Sequence, residues 1–121
     1  MRHPRSLSNF ARKHIFFYFI FLVLCQYLFG QAVETTGTVR GIVTDTSGAI
    51  IPGCMVVLDG ESTGQHLVRV TNESGIFVFP SQSVGVYKLE VSAQGFRKEK
   101  IETVNVQVGQ TANLNVRLQP G

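Results

Sequence analysis

The sequence predicts an all-β fold: a seven-stranded antiparallel β-sandwich preceded by a hydrophobic signal helix. Three observations point there. Beyond residue 37, short β-branched runs alternate with Gly, Pro, Ser and Asn at intervals of about ten residues. No segment of that region sustains helical periodicity. Its large apolar residues recur at every second position, the repeat of a strand with one buried face.

The N-terminal part reads differently. Arg2, Arg5, Arg12 and Lys13 form a basic region without acids, and an unbroken apolar run follows at 15–25, resuming after Gln26 with Tyr27, Leu28 and Phe29. A run of about fifteen residues suits a secretory signal, whereas a spanning helix needs roughly twenty. Gly30 and Ala32 are the small residues that a signal peptidase reads. Cleavage is therefore expected after Ala32, dividing the chain into a leader, 1–32, and a domain, 33–121. If the leader is retained as an anchor, it is the expected membrane contact. Cys25 follows Leu24 rather than a small residue, which argues against lipoprotein processing.

The first strand is expected over 38–45, with Val39, Gly41 and Val43 on one face and Thr38, Arg40, Ile42 and Thr44 on the other. Thr46-Ser47-Gly48 turns the chain, and Ile51-Pro52-Gly53 bends it again. Proline cannot donate to a ladder, so the segment around Pro52 is expected at an edge or a kink. Residues 55–59 form the second strand, with Val56 and Leu58 together, and 60–64 a loop. The third strand, 65–71, places Val68 and Val70 on one face and Leu67 and Arg69 on the other; Val70 is assigned to the core.

Asn72-Glu73-Ser74-Gly75 is a hairpin signal, because Asn tolerates and Gly favours a left-handed backbone. The fourth strand, 76–79, aims Phe77 and Phe79 the same way, and Pro80 is expected to end it. After a bend at 83–85, the fifth strand, 86–93, sets Tyr87, Leu89 and Val91 against Lys88, Glu90 and Ser92. Gly95 and Phe96 close it; the sixth strand is 98–106 and the seventh 111–118, with Leu114, Val116 and Leu118 inward.

The expected core is Val39, Val43, Val56, Leu58, Val70, Phe77, Phe79, Tyr87, Leu89, Val91, Phe96, Leu114 and Val116, with turns at Gly48, Pro52, Gly53, Gly75, Gly85 and Gly95. Tyr87 is expected to bury its ring and return its hydroxyl to nearby backbone. The segment around Pro52 and the last strand are the expected sheet edges.

Charge and composition exclude several functions. Four of the 11 basic residues lie in the leader and all eight acids lie beyond it, so the domain carries seven basic against eight acidic side chains, a net charge of −1. Nucleic-acid binding needs a clustered basic surface, and Arg97, Lys98 and Lys100 are interleaved with Glu99 and Glu102. Cys54 is the one cysteine of the domain, so no internal disulfide is expected there. A zinc peptidase needs at least two His, and the domain holds only His66, expected as a solvated strand end. Ser47, Ser74 and Ser83 sit in turns without a His/Asp pattern. No catalytic residue, cofactor or metal is expected. Asn72-Glu73-Ser74 fits the glycosylation triplet at an exposed turn.

The residues Gly37-x-Val39-x-Gly41-x-Val43-x-Asp45, Ser47-Gly48-x-x-Ile51-Pro52-Gly53 and Val56-x-Leu58 resemble the opening of the carboxypeptidase regulatory-like domain. Thr71-Asn72-x-x-Gly75-x-Phe77-x-Phe79 and Gly85-x-Tyr87-x-Leu89-x-Val91-x-x-x-Gly95-Phe96 are similar to its second half. Val108-Gly109-Gln110-Thr111 and the ending Leu118-Gln119-Pro120-Gly121 look like versions found at the N-terminus of bacterial TonB-dependent, Oar-like outer-membrane proteins. Asn72, Val84 and Cys54 depart from residues common at those positions. The resemblance implies a transthyretin-like sandwich, grouped with carbohydrate-binding-like folds and accessory rather than catalytic. It implies export to the periplasm, the outer membrane or the exterior.

The expected function is therefore a non-catalytic envelope module that contacts another envelope protein, by edge-strand pairing, or serves as a structural spacer. The alternatives are the N-terminal extension of a truncated or split TonB-dependent receptor, and a carbohydrate-binding module. The domain has no Trp to form a sugar platform, and its Phe and Tyr residues are assigned to the core.

Overall fold

A computed structural model describes residues 5–29 and 33–121. It divides into two compact units, 1–33 and 34–121. In the first, α1 spans Arg5–Phe29, without acids in its first turn or bases in its last. Among the described residues, no helix is long and apolar enough to cross a membrane. The expected cleavage site at Ala32 lies outside the described residues.

The second unit holds seven strands: β1 (Thr36–Thr44), β2 (Met55–Gly60), β3 (His66–Val70), β4 (Ile76–Ser83), β5 (Gly85–Ser92), β6 (Glu99–Val106) and β7 (Thr111–Arg117). They form a three-stranded sheet, β4-β1-β7, and a four-stranded sheet, β3-β2-β5-β6. Between them lie Val39, Val43, Cys54, Val56, Leu58, Phe77, Phe79, Tyr87, Leu89, Val91, Val104, Val106, Val116 and Leu118, with Phe96 and Leu114 half-buried at the margin. Phe77 and Phe79 meet edge to face, their ring centroids 6.0 Å apart. The Tyr87 hydroxyl donates to the Ser83 carbonyl at 2.6 Å, tying β5 to the end of β4.

The sandwich is mixed rather than purely antiparallel, because β7 runs parallel to β1 from Thr38↔Thr111 to Thr44↔Arg117. Alternation along residues 111–118 records which face is buried and carries no information about strand direction. Pro80 does not end β4, which runs on to Ser83. It is tolerated because β4 is an edge strand, where a missing N–H costs no ladder bond. Two residues of β1, Gly37 and Val39, there oppose three-residue spacing on β4, Gln82 and Phe79, and Ser81 adopts φ 56° in the resulting bulge.

The Asn72 turn is a corner, not a hairpin within one sheet, since β3 and β4 belong to different sheets. The Asn72 Oδ1 accepts from the N–H groups of Ser74 at 2.9 Å and Ile76 at 3.0 Å, and Gly75 takes φ 73°. These local bonds fix the reversal whichever sheet receives the next strand. The segment around Pro52 is also no edge strand: it is a turn before β2, and the four edges are β4, β7, β3 and β6.

Candidate functional site

The outward face of the four-stranded sheet carries most of the domain's unspent side-chain chemistry. Register places Met55 beside Val70, Val57 beside Val68 and Asp59 beside His66. On the other side of β2, Val57 pairs with Glu90 and Asp59 with Lys88. The result is an apolar block at the β3 margin and an ionic lattice across the rest.

In the lattice, His66 Nδ1 lies 2.5 Å from Asp59 Oδ1. Lys88 Nζ lies 3.7 Å from Glu61 and 3.8 Å from Glu102, and Glu90 takes Lys98 at 2.9 Å and Lys100 at 3.9 Å. These side chains are exposed, apart from the half-buried Glu90, so each lysine–glutamate pair contributes about 0–1 kcal/mol. His66 is thus an edge residue hydrogen-bonded to Asp59. Among the described residues, no three His, Cys, Asp or Glu side chains stand together as a metal site.

In the apolar block, Val70 is 62% exposed, Val68 42% and Met55 48%. This corrects the expectation that Val70 lies in the core. Both faces of 65–71 carry apolar residues, so alternation alone does not choose the inner one. Leu67 takes the core side instead, and Arg69 shares it. The Arg69 guanidinium carbon sits 5.7 Å from the Phe79 ring centroid, and Nη1 donates to the Val68 carbonyl at 3.0 Å.

The β3 backbone is parity-split. Gly60 N–H bonds to Gln65 O and Thr71 N–H to Cys54 O, so odd-numbered residues face β2. Even-numbered residues, His66, Val68 and Val70, therefore turn their N–H and C=O groups outward. The carbonyl that Arg69 covers is one of these.

Elsewhere the polar groups are structural. Thr71 Oγ1 accepts from Cys54 N–H at 2.9 Å and donates to Ile51 O at 2.9 Å, which closes the turn over Pro52. Cys54 is fully buried, its Sγ 3.3 Å from Ile51 O, and burial pushes its thiol up from the ordinary value. Less thiolate means less reactivity.

Asp45 caps the first turn: its Oδ1 accepts from Ser47 Oγ at 2.6 Å, Ser47 N–H at 2.8 Å and Ala49 N–H at 3.0 Å. The Ser47 hydroxyl, then the backbone N–H groups, hold this carboxyl below its ordinary 3.8. A depressed carboxyl stabilises the fold above the unfolded-state value and loses that contribution as pH falls through the folded one. Amide-exchange protection at Ser47 and Ala49 is therefore expected to persist at neutral pH and to decay below about pH 4. Asp45→Asn keeps an acceptor oxygen and should flatten that pH dependence, as amide-exchange NMR would show.

Comparison with solved structures shows the same sandwich in proteins of different activity. A catechol 1,2-dioxygenase from Pseudomonas arvilla superposes with TM-score 0.60 at 13% identity, covering 77% of this chain and 55% of that one. A minor pilin of Streptococcus agalactiae gives 0.59 at 12% identity, covering 74% and 46%. A putative carbohydrate-binding protein from Bacteroides uniformis gives 0.57 at 11% identity, covering 69% and 41%. The chain thus spans about half the length of these structures, and identities this low establish the fold alone. No curated protein matches the sequence. The model of the carboxypeptidase regulatory-like domain matches residues 38–119. That span takes in the sandwich from the third residue of β1 to the end of β7, and the chain belongs to the carboxypeptidase regulatory-like domain family.

Proposed function

We propose that the chain is an exported, non-catalytic β-sandwich module of the cell envelope, which acts by contact with another protein through a free strand edge. One observation carries this reading. The large side chains of the sandwich, Tyr87, Phe77 and Phe79 above all, are consumed by its own core, whereas the β3 margin leaves backbone groups and an apolar block outside. Membership supports it, since this regulatory-like fold is non-catalytic and typical of exported proteins. A sugar site would want an exposed aromatic platform, and among the described residues of the sandwich only Phe96 reaches the surface in part.

In this reading residues 1–32 are the leader and cleavage follows Ala32. The full chain with a C-terminal tag, expressed in a Gram-negative host, should be recovered from the periplasmic or outer-membrane fraction with Val33 as its first residue. Edman degradation and fractionation read this out. Recovery of the intact chain from the cytosol would overturn the export part of the proposal.

A further inference from the structure

The four sheet edges are not equally open. β4 carries Pro80 and the Ser81 bulge, which twist and interrupt it. β6 presents Glu99, Lys100 and Glu102, charges that discourage pairing. On β7 the outer face is Asn113, Asn115 and Arg117, and the Arg117 guanidinium is already bonded to Thr46 O. β3 has no proline, no bulge and no run of charge. Its exposed face continues directly into Met55 and Val57.

Arg69 is the exception within that strand. Its guanidinium covers Phe79 and bonds the outward Val68 carbonyl, yet among the described residues it has no carboxylate partner. It therefore does two jobs. In the free domain it satisfies and shields the middle one of the three outward carbonyls that a second strand would use. Against an added strand it offers an unused positive charge.

Resting on the contact-module reading above, we infer that the β3 edge receives an extended peptide segment with apolar residues at alternate positions and a carboxylate between them. The incoming strand's N–H replaces Arg69 at the Val68 carbonyl, and its C=O groups accept from the outward N–H groups of His66, Val68 and Val70. Apolar side chains at alternate positions extend the block of Met55, Val57, Val68 and Val70. The residue between them falls on the Arg69 side, where the released guanidinium pairs with its carboxylate. Charge complementarity selects this occupant over a second copy: self-pairing centred on Val68 would set Arg69 against Leu67 and leave both guanidinium groups without a carboxylate.

The test uses the full-length, isotope-labelled protein in a mild detergent and three capped synthetic peptides. One alternates valine and aspartate, one alternates valine and lysine, and one carries proline at the centre of the valine–aspartate repeat. The valine–aspartate peptide should shift the amides of His66, Val68 and Val70 and slow their exchange. The lysine peptide should bind about tenfold more weakly, and the proline peptide should not bind. Arg69→Gln, which keeps the stem over Phe79, should cost the aspartate peptide about tenfold, and Arg69→Glu should reverse the preference between aspartate and lysine.

Equal binding of the aspartate and lysine peptides would overturn the inference, as would concentration-dependent shifts of β3 without any peptide, which would make a second copy the occupant. Shifts confined to β7, Thr111–Arg117, would overturn it while leaving the contact-module reading standing. Binding at β3 by a chain that stays in the cytosol would overturn the export part of the proposed function and leave the β3 inference standing.

Discussion

Phe77→Ala is expected to destabilise the sandwich by about 3–5 kcal/mol, the usual cost of removing a buried aromatic ring. Phe77 is 2% exposed, lies on β4 opposite Gly41 of the central strand β1, and packs edge to face on Phe79. A small domain has about 5–15 kcal/mol of net stability, so the substitution takes a large share of it. The thermal midpoint should fall by roughly 15–30 °C. Circular-dichroism melts of the two proteins check this. A shift of a degree or two would mean that the ring is not enclosed between the sheets.

Gly41→Ala is expected to act on the same spot from the opposite side. A Cβ at Gly41 would overlap Phe77 Cζ and lie 2.6 Å from Cε1 and 2.8 Å from the Leu114 carbonyl oxygen. The ring can rotate only within a packed interior, and Leu114 belongs to the backbone of β7, which is held to β1 by its parallel ladder. Overpacking of this kind costs about 1–3 kcal/mol. Gly41 is there so that the Phe77 ring of the neighbouring strand can lie across it, rather than for an unusual backbone angle. The two sites should couple. In a Phe77→Leu background the ring tip is gone, so Gly41→Ala should be less harmful than in the parent. Denaturant titration of the four proteins in that cycle measures the coupling; strict additivity would mean that the added methyl meets only the β7 backbone.

Much of the fold was legible because period-two alternation and turn chemistry are local. The family resemblance, the two-sheet sandwich and its seven strands all follow from signals a few residues long. What was missed needs information about neighbours. The parallel pairing of β1 and β7 is one case, since residues 111–118 look alike in either direction. Pro80 is another: whether it breaks a strand depends on which side of β4 is bonded, and that side turned out to be free. The Asn72 turn looks like a hairpin in the sequence because its bonds are local, but the sheet joined by the next strand is decided elsewhere.

The candidate site was the least legible part. Segment 65–71 offers Leu67 to one face and Val68 and Val70 to the other, so the sequence alone sets no side. The decision comes from register with β2, where His66 meets Asp59 and Leu67 meets Leu58. A His and an Asp flanking the loop at 60–65 were the available hint. Arg69 gave no signal in the sequence, because its importance lies in what stands beneath it, the Phe79 ring of β4, a strand of the other sheet.

The parallel ladder between β1 and β7 joins residues 73 positions apart, as in Thr38↔Thr111 and Gly41↔Leu114. During synthesis, β1 must wait for residues 111–117 before its second neighbour exists, and such distant closures are slow. The three-stranded sheet is therefore completed only once residues 111–117 are available to β1.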